Sequence, residues 1–153
     1  MLKFGHLVTK YPTVHPNFER FKIGRSSFGC YDLGGHKSAR KLWSDYLTRI
    51  DGVIFVIDTA DNDRLEEARA ELTTILSDPS IANTPICVLG NKIDVSCMDS
   101  TTLAGMLGIS HLLTGTNCFN VPPNERPMEI FMCSIKNKTG YGEGFRWMSN
   151  FVK

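Results

Sequence analysis

Three short clusters carry residue types able to act on a phosphate-bearing ligand. The first is Asp32-Leu33-Gly34-Gly35-His36, an acid followed by two glycines and an ionisable ring. The carboxylate can face a metal ion, and glycine lets a backbone N–H approach a phosphate oxygen with no Cβ in the way. Asp-Gly spacing is also common in ordinary turns, so this cluster alone decides little. The second is Asn91-Lys92-Ile93-Asp94. A carboxylate held there can accept two parallel hydrogen bonds, and guanine offers N1–H and an exocyclic amine side by side. Adenine offers no such pair and would leave a buried acceptor unpaired. The Lys92 stem can lie along the purine face, and Asn91 can tie the loop to a neighbour or reach N7. A helix-capping turn is the plain alternative. The third cluster is Ser134-Ile135-Lys136.

All three are expected at strand ends. Residues 17–24 and 26–32 read as two strands joined at Gly24-Arg25, a β-hairpin. The unbroken apolar run at 53–57 predicts a strand buried on both faces, as in a parallel sheet. Leu65, Ala68, Leu72, Ile75 and Leu76 then fall on one helical face, with Asp61, Asn62 and Asp63 as capping candidates and Asp78-Pro79 as the stop. A second buried strand covers 85–91, and a short helix 100–107. Residues 113–126, rich in Gly, Asn, Thr and Pro, read as a long loop. A third buried strand spans 128–133. A helix over 142–152 is expected to bury Phe145, Met148, Phe151 and Val152. Alternating strands and helices imply a doubly wound, mostly parallel α/β domain, in which ligands bind beyond the carboxyl ends of the strands. Asp32, Asn91 and Ser134 would all stand at such ends. The run after His36 is basic and helix-prone, and Tyr11-Pro12-Thr13-Val14-His15-Pro16 reads as an extended loop.

Composition sets bounds. A length of 153 residues allows one domain with a real core. A net charge of +1 gives no electrostatic reason to expect nucleic acid or an acidic membrane. Five cysteines, scattered and odd in number with no C-x-x-C pair, argue against a zinc site and against a secreted disulfide framework. Cys30, Cys87 and Cys133 lie in predicted strands as small buried hydrophobes, and the expected compartment is reducing and cytoplasmic.

The DLGGHKSARKLW stretch, NKID and the terminal MCSIKNKTGYGEGFRWM together resemble the Sar family, in the Arf/Sar branch of the Ras-superfamily small GTPases. The likeness runs nearly end to end. It implies a P-loop small-GTPase fold over 1–153 and a switch that hydrolyses GTP and recruits COPII coat proteins at the cytosolic face of the endoplasmic reticulum. An exchange factor and a GTPase-activating partner would serve it. It further implies that Thr13 is the switch threonine reaching Mg²⁺ and the nucleotide, and that Asp32 holds Mg²⁺ through water. The Gly35 N–H would sense the γ-phosphate, and His36 would orient the attacking water where most of the superfamily has glutamine. Asn91, Lys92 and Asp94 would read the base, with Ser134, Ile135 and Lys136 lining its far side. His6, His15 and His111 read as ordinary surface or loop residues. Trp43 and Tyr46 read as anchors at the core edge, with an effector-facing aromatic patch as the alternative. Departures from the family pattern are Pro16-Asn17 for Pro-Thr, Lys37-Ser38 for Glu-Gln, and the 114–126 loop.

No G-x-x-x-x-G-K-[ST], the loop that cradles phosphates, occurs in these residues. In the family that loop, the first strand and an amphipathic membrane-contacting helix lie upstream of the position where this chain starts. Met1 would fall within the first helix, and the strand left out would be a central one, whose two neighbours become edges. The alternative function is therefore a fragment that carries no nucleotide and acts only as a protein-binding module.

Overall fold

The computed structural model describes residues 16–117, 120–122 and 124–152, and these divide into two compact units, 1–50 and 51–153. In the first unit, β1 (Asn17–Ile23) and β2 (Ser26–Asp32) form an antiparallel hairpin. Gly24 turns it with φ +60°, a backbone that glycine tolerates at no steric cost. Phe21 stands opposite Phe28, their rings 5.7 Å apart. The basic, helix-prone run forms two short helices, α1 (Lys37–Arg40) and α2 (Trp43–Leu47). Ala39 and Leu47 are their buried residues.

In the second unit, β3 (Val53–Asp58), β4 (Ile86–Asn91) and β5 (Met128–Cys133) form a parallel sheet in the order β3-β4-β5. Helix α3 (Leu65–Leu76) connects β3 to β4, and α4 (Ser100–Leu107) lies between β4 and β5. Helix α5 (Tyr141–Met148) follows β5. Gly144 of α5 packs so closely on Cys87, Leu89 and Phe131 that a Cβ would meet the first two at 2.9 Å. Leu103 of α4 lies against Gly90 and Met132 on the other face. Helices thus cover both faces, as the alternating pattern requires.

Strand β4 is buried throughout except at Asn91, as its apolar run predicts. Strand β3 is parallel to β4 as expected but is not buried on both faces. Val56 is 53% exposed and only Ile57 of the run is fully buried, because β3 pairs on one side alone among the described residues. Helix α3 begins where expected, but none of Asp61, Asn62 and Asp63 caps it. Asn62 and Asp63 enter a 3-10 turn (Asn62–Arg64) instead, with Asp61 just before it, and Arg64 takes the position before the helix without a capping bond, its Nε donating to Glu67 at 2.9 Å. Helix α4 is capped as its sequence suggests, by Asp99 accepting from the Thr102 N–H (2.7 Å) and by Gly108 at φ +73°. Helix α5 stops at Met148, so Phe151 and Val152 lie beyond it and stay half-buried, whereas Trp147 is buried against Phe131 and Phe151. Cys87 and Cys133 are buried, and burial raises both thiols, Cys133 to about 11. Cys30 is only half-buried.

The 113–126 stretch contains no helix or strand among its described residues, and Arg126 closes it onto the end of α3. Its Nε donates to the Ala82 carbonyl (3.1 Å), and Nη2 donates to the carbonyls of Leu76 (3.2 Å) and Ile81 (3.1 Å). A helix end leaves carbonyls without partners, and the guanidinium satisfies them with charge-assisted bonds. No helix among the described residues is long and apolar enough to cross a membrane.

Candidate functional site

The carboxyl ends of β4 and β5 build one wall. Asn91 closes β4, and its side-chain oxygen accepts the Ile135 N–H at 3.0 Å, so the loop after β4 is tied to the loop after β5. Of its two possible tasks, tying the loop is the one this geometry uses. Ser134 is fully buried directly after β5. Its hydroxyl donates to Asp94 Oδ1 at 2.6 Å and accepts the Asn137 N–H at 3.0 Å. The far Asp94 oxygen lies 3.5 Å from Lys136 Nζ, and the side chain is 9% exposed. Donation from Ser134, then the Lys136 ammonium, hold the Asp94 carboxyl below the ordinary aspartate range. An ionised, oriented acceptor therefore sits at this sheet end through neutral pH. Asn91, Asp94, Ser134, Ile135 and Lys136 come together as one constellation.

The turn after β5 depends on its backbone. Ser134 and Thr139 exchange both backbone hydrogen bonds at 3.0 Å, Lys138 adopts φ +58°, and Gly140 follows at φ +81°. A Cβ on Gly140 would stand 2.1 Å from the Met132 carbonyl oxygen.

Strand β3 supplies residues that sequence reasoning did not single out. Thr59 is buried, and its hydroxyl (2.8 Å) and N–H (3.0 Å) both donate to the Asn91 carbonyl. The Thr59 carbonyl accepts from Ser96 Oγ at 2.9 Å. Asp58 forms an ion pair with Lys92. The available signal was positional: Asp58-Thr59 also stands at the carboxyl end of a parallel strand. A cleft of about 360 Å³ beside these residues is lined by Thr59, Asn62, Ser96, Cys97, Met98 and Thr102 among others.

In the first unit, Asp32 ends β2 and is exposed. The two glycines are pinned by the helices that follow. Trp43 Nε1 donates to the Gly34 carbonyl at 3.1 Å, and Arg40 Nε donates to the Gly35 carbonyl at 2.7 Å. Among the described residues, nothing beyond its chain neighbours lies within 4 Å of a Cβ built on Gly35, so that side of its backbone is open. His36 is exposed at the start of α1, with Nδ1 3.2 Å from Ser38 Oγ. Trp43 is thus an anchor, whereas Tyr46 joins a row with Tyr31 and Phe18 whose neighbouring ring centroids are 4.9 Å apart. Tyr31 and Phe18 are nearly half exposed, and Arg20 lies over the Phe18 ring. Asp32, Gly35 and His36 stand on this unit, and the base-wall residues stand on the other. Thr13, with His6 and His15, lies outside the described residues.

The residues fit Mg²⁺ to a limited but definite degree. Mg²⁺ takes hard oxygens, usually one or two carboxylates completed by water and phosphate, not an all-protein cage. Asp32 is such an oxygen donor. No group of three or more His, Cys, Asp or Glu side chains able to hold a metal occurs among the described residues.

A parallel sheet with helices on both faces and polar side chains gathered at its strand ends is the layout of a ligand-binding α/β protein. The ADP-ribosylation factor family matches residues 1–152, and the chain belongs to that family of small GTPases, in its Sar/Arf branch. It is 40% identical over 153 residues to a small COPII coat GTPase SAR1 of Giardia intestinalis, covering 99% of this chain and 80% of the relative. The corresponding protein of Nicotiana tabacum is 38% identical over 161 residues, covering 100% and 81%. Among solved structures, the Arl6 BBS3 small GTPase of Trypanosoma brucei with a bound GppNp superimposes with a TM-score of 0.77 at 30% identity. That match covers 94% of this chain and 83% of the other.

Proposed function

We propose that the chain is one GTPase domain over residues 1–153, a switch that alternates between GDP and GTP. In the GTP form it would recruit COPII coat components for budding from the cytosolic face of the endoplasmic reticulum towards the Golgi. The observation that carries the nucleotide half is the buried, ionised Asp94 held by Ser134 beside Asn91. The coat half is supported by relatives that are named COPII coat GTPases. In this reading Asp94 accepts the guanine N1–H and amine, the Lys92 stem covers one purine face, and Ile135 and Lys136 border the other side. Mg²⁺, held through Asp32 and Thr13, would neutralise charge on the phosphates. The Gly35 N–H would meet the γ-phosphate across its open approach, and His36 would place the attacking water. An exchange factor and an activating partner would drive the cycle.

Phosphoryl transfer relies on placement and electrostatics, so an exposed histidine can serve by holding a water in line without acting as a full base. The test is single-turnover GTP hydrolysis by the protein. No G-x-x-x-x-G-K-[ST] lies within residues 1–153. His36→Gly is expected to slow hydrolysis about a hundredfold while GTP affinity stays within about twofold. Unchanged turnover would remove His36 from the reaction.

The row of exposed Phe18 and Tyr31 with half-buried Tyr46 supports a narrower second reading, a protein-binding module without nucleotide. Nucleotide titration separates the two readings.

A further inference from the structure

Lys92 occupies an unusual backbone. With φ +74° it is one of two non-glycine residues in the left-handed region among those described. An L-residue adopts that region only at a cost, and only where its surroundings over-determine it. The surroundings are visible. Thr59 fastens the Asn91 carbonyl with two bonds, and the N–H groups of Val95 (3.0 Å) and Ser96 (3.1 Å) return to the Lys92 carbonyl. The last contact is the side chain's own, as Nζ reaches Asp58 Oδ2 on the neighbouring strand. Asp58 stands directly opposite Asn91 in the parallel register, and its other oxygen accepts the Ala60 N–H at 3.0 Å. The carboxylate is thus oriented before the lysine meets it.

This pair contributes little to folding. The two side chains are 51% and 37% exposed, and ion pairs so placed are screened by water and salt. What the pair fixes is direction. A lysine stem has four rotatable carbons, and fastening its tip selects one path for it across the end of β4. Building on the base site proposed above, we propose that Asp58 is a positioning residue for the purine: it holds the Lys92 ammonium so that the stem is already laid out as the apolar bar on which the base rests. The Asp58 contact, with Asp61 and Asp94 farther off, also raises the Lys92 ammonium above its ordinary range, so the charge persists through all physiological pH.

Asp58→Asn in the 153-residue chain tests this, with fluorescent GDP and IDP as probes. IDP lacks the exocyclic amine but keeps the purine face. The variant is expected to lose affinity for both by the same factor, up to about fivefold, with melting unchanged within about 2 °C. The gap should close near 1 M salt, where the pair is screened. In a Lys92→Met background, Asp58→Asn should change nothing further, because Asp58 acts through that lysine. Equal affinities of wild type and variant would overturn the proposal. So would weakening confined to GDP, which would mean that the Asp94 wall had moved. A wild-type chain that binds neither nucleotide overturns the base-site reading and this role with it, an outcome distinct from a silent Asp58→Asn.

Discussion

Asp94→Asn is expected to lower GDP affinity about a hundredfold or more and to turn the base preference from guanine to xanthine. Asp94 is an acceptor at both oxygens, and Ser134 supplies a donor to Oδ1 at 2.6 Å. An amide keeps one acceptor but presents an N–H where guanine also presents N–H, so a hydrogen bond becomes a donor–donor clash. Xanthine carries a carbonyl at that carbon and restores complementarity. Competition between GDP and xanthosine diphosphate measures the switch. If the variant bound GDP as the wild type does, the acceptor would lie elsewhere. The pH dependence follows from the sign of the shift. Because the folded carboxyl is held below its unfolded value, the ionised acceptor is present at all pH above the ordinary aspartate range. It is lost only as pH falls through the depressed value. Guanine preference should therefore be flat between about pH 8 and pH 5.

Gly140→Ala is expected to cost about 4 kcal/mol of folding stability, lowering the melting temperature by roughly 10 °C or more. Two effects add. The φ of +81° is unfavourable for any residue with a Cβ, and that Cβ would meet the Met132 carbonyl oxygen at 2.1 Å and the Cys133 Cα at 2.9 Å. All of these are backbone atoms, so no side-chain rotation relieves the overlap. Urea unfolding with an unchanged m-value reads the loss directly. Because the turn from Ser134 to Thr139 is anchored here, the variant should also lose guanine preference at temperatures where it stays folded. A melting temperature within about 2 °C of wild type would show that the turn yields without cost.

The parts of this molecule that could be read in the sequence are those written in local patterns. The unbroken run of β4 and the i, i+3, i+7 spacing of α3 each state their own structure. Neighbours in space were not so written. An apolar run cannot say how many strands flank it, so β3 looked buried on both faces although Val56 is open. Acids ahead of α3 looked like caps, but the 3-10 turn places Arg64, not an acid, at the position before the helix. Arg126 reaches three carbonyls forty-four to fifty residues away, a link no local pattern contains. At the site, Asn91, Asp94 and Ser134 were legible because their residue types match a chemistry. Asp58 and Thr59 act on the loop from a neighbouring strand, and only register reveals them.

One titration bears most directly on the proposal that the ends of β4 and β5 read guanine. The 153-residue chain is mixed with fluorescent GDP and, separately, fluorescent ADP, in Mg²⁺, with circular dichroism recorded on the same sample. GDP is expected to bind at sub-micromolar concentration with at least about a hundredfold preference over ADP, because adenine offers the Asp94 carboxylate no side-by-side pair of N–H donors. Equal binding of the two nucleotides, or no binding by a folded chain, would contradict it.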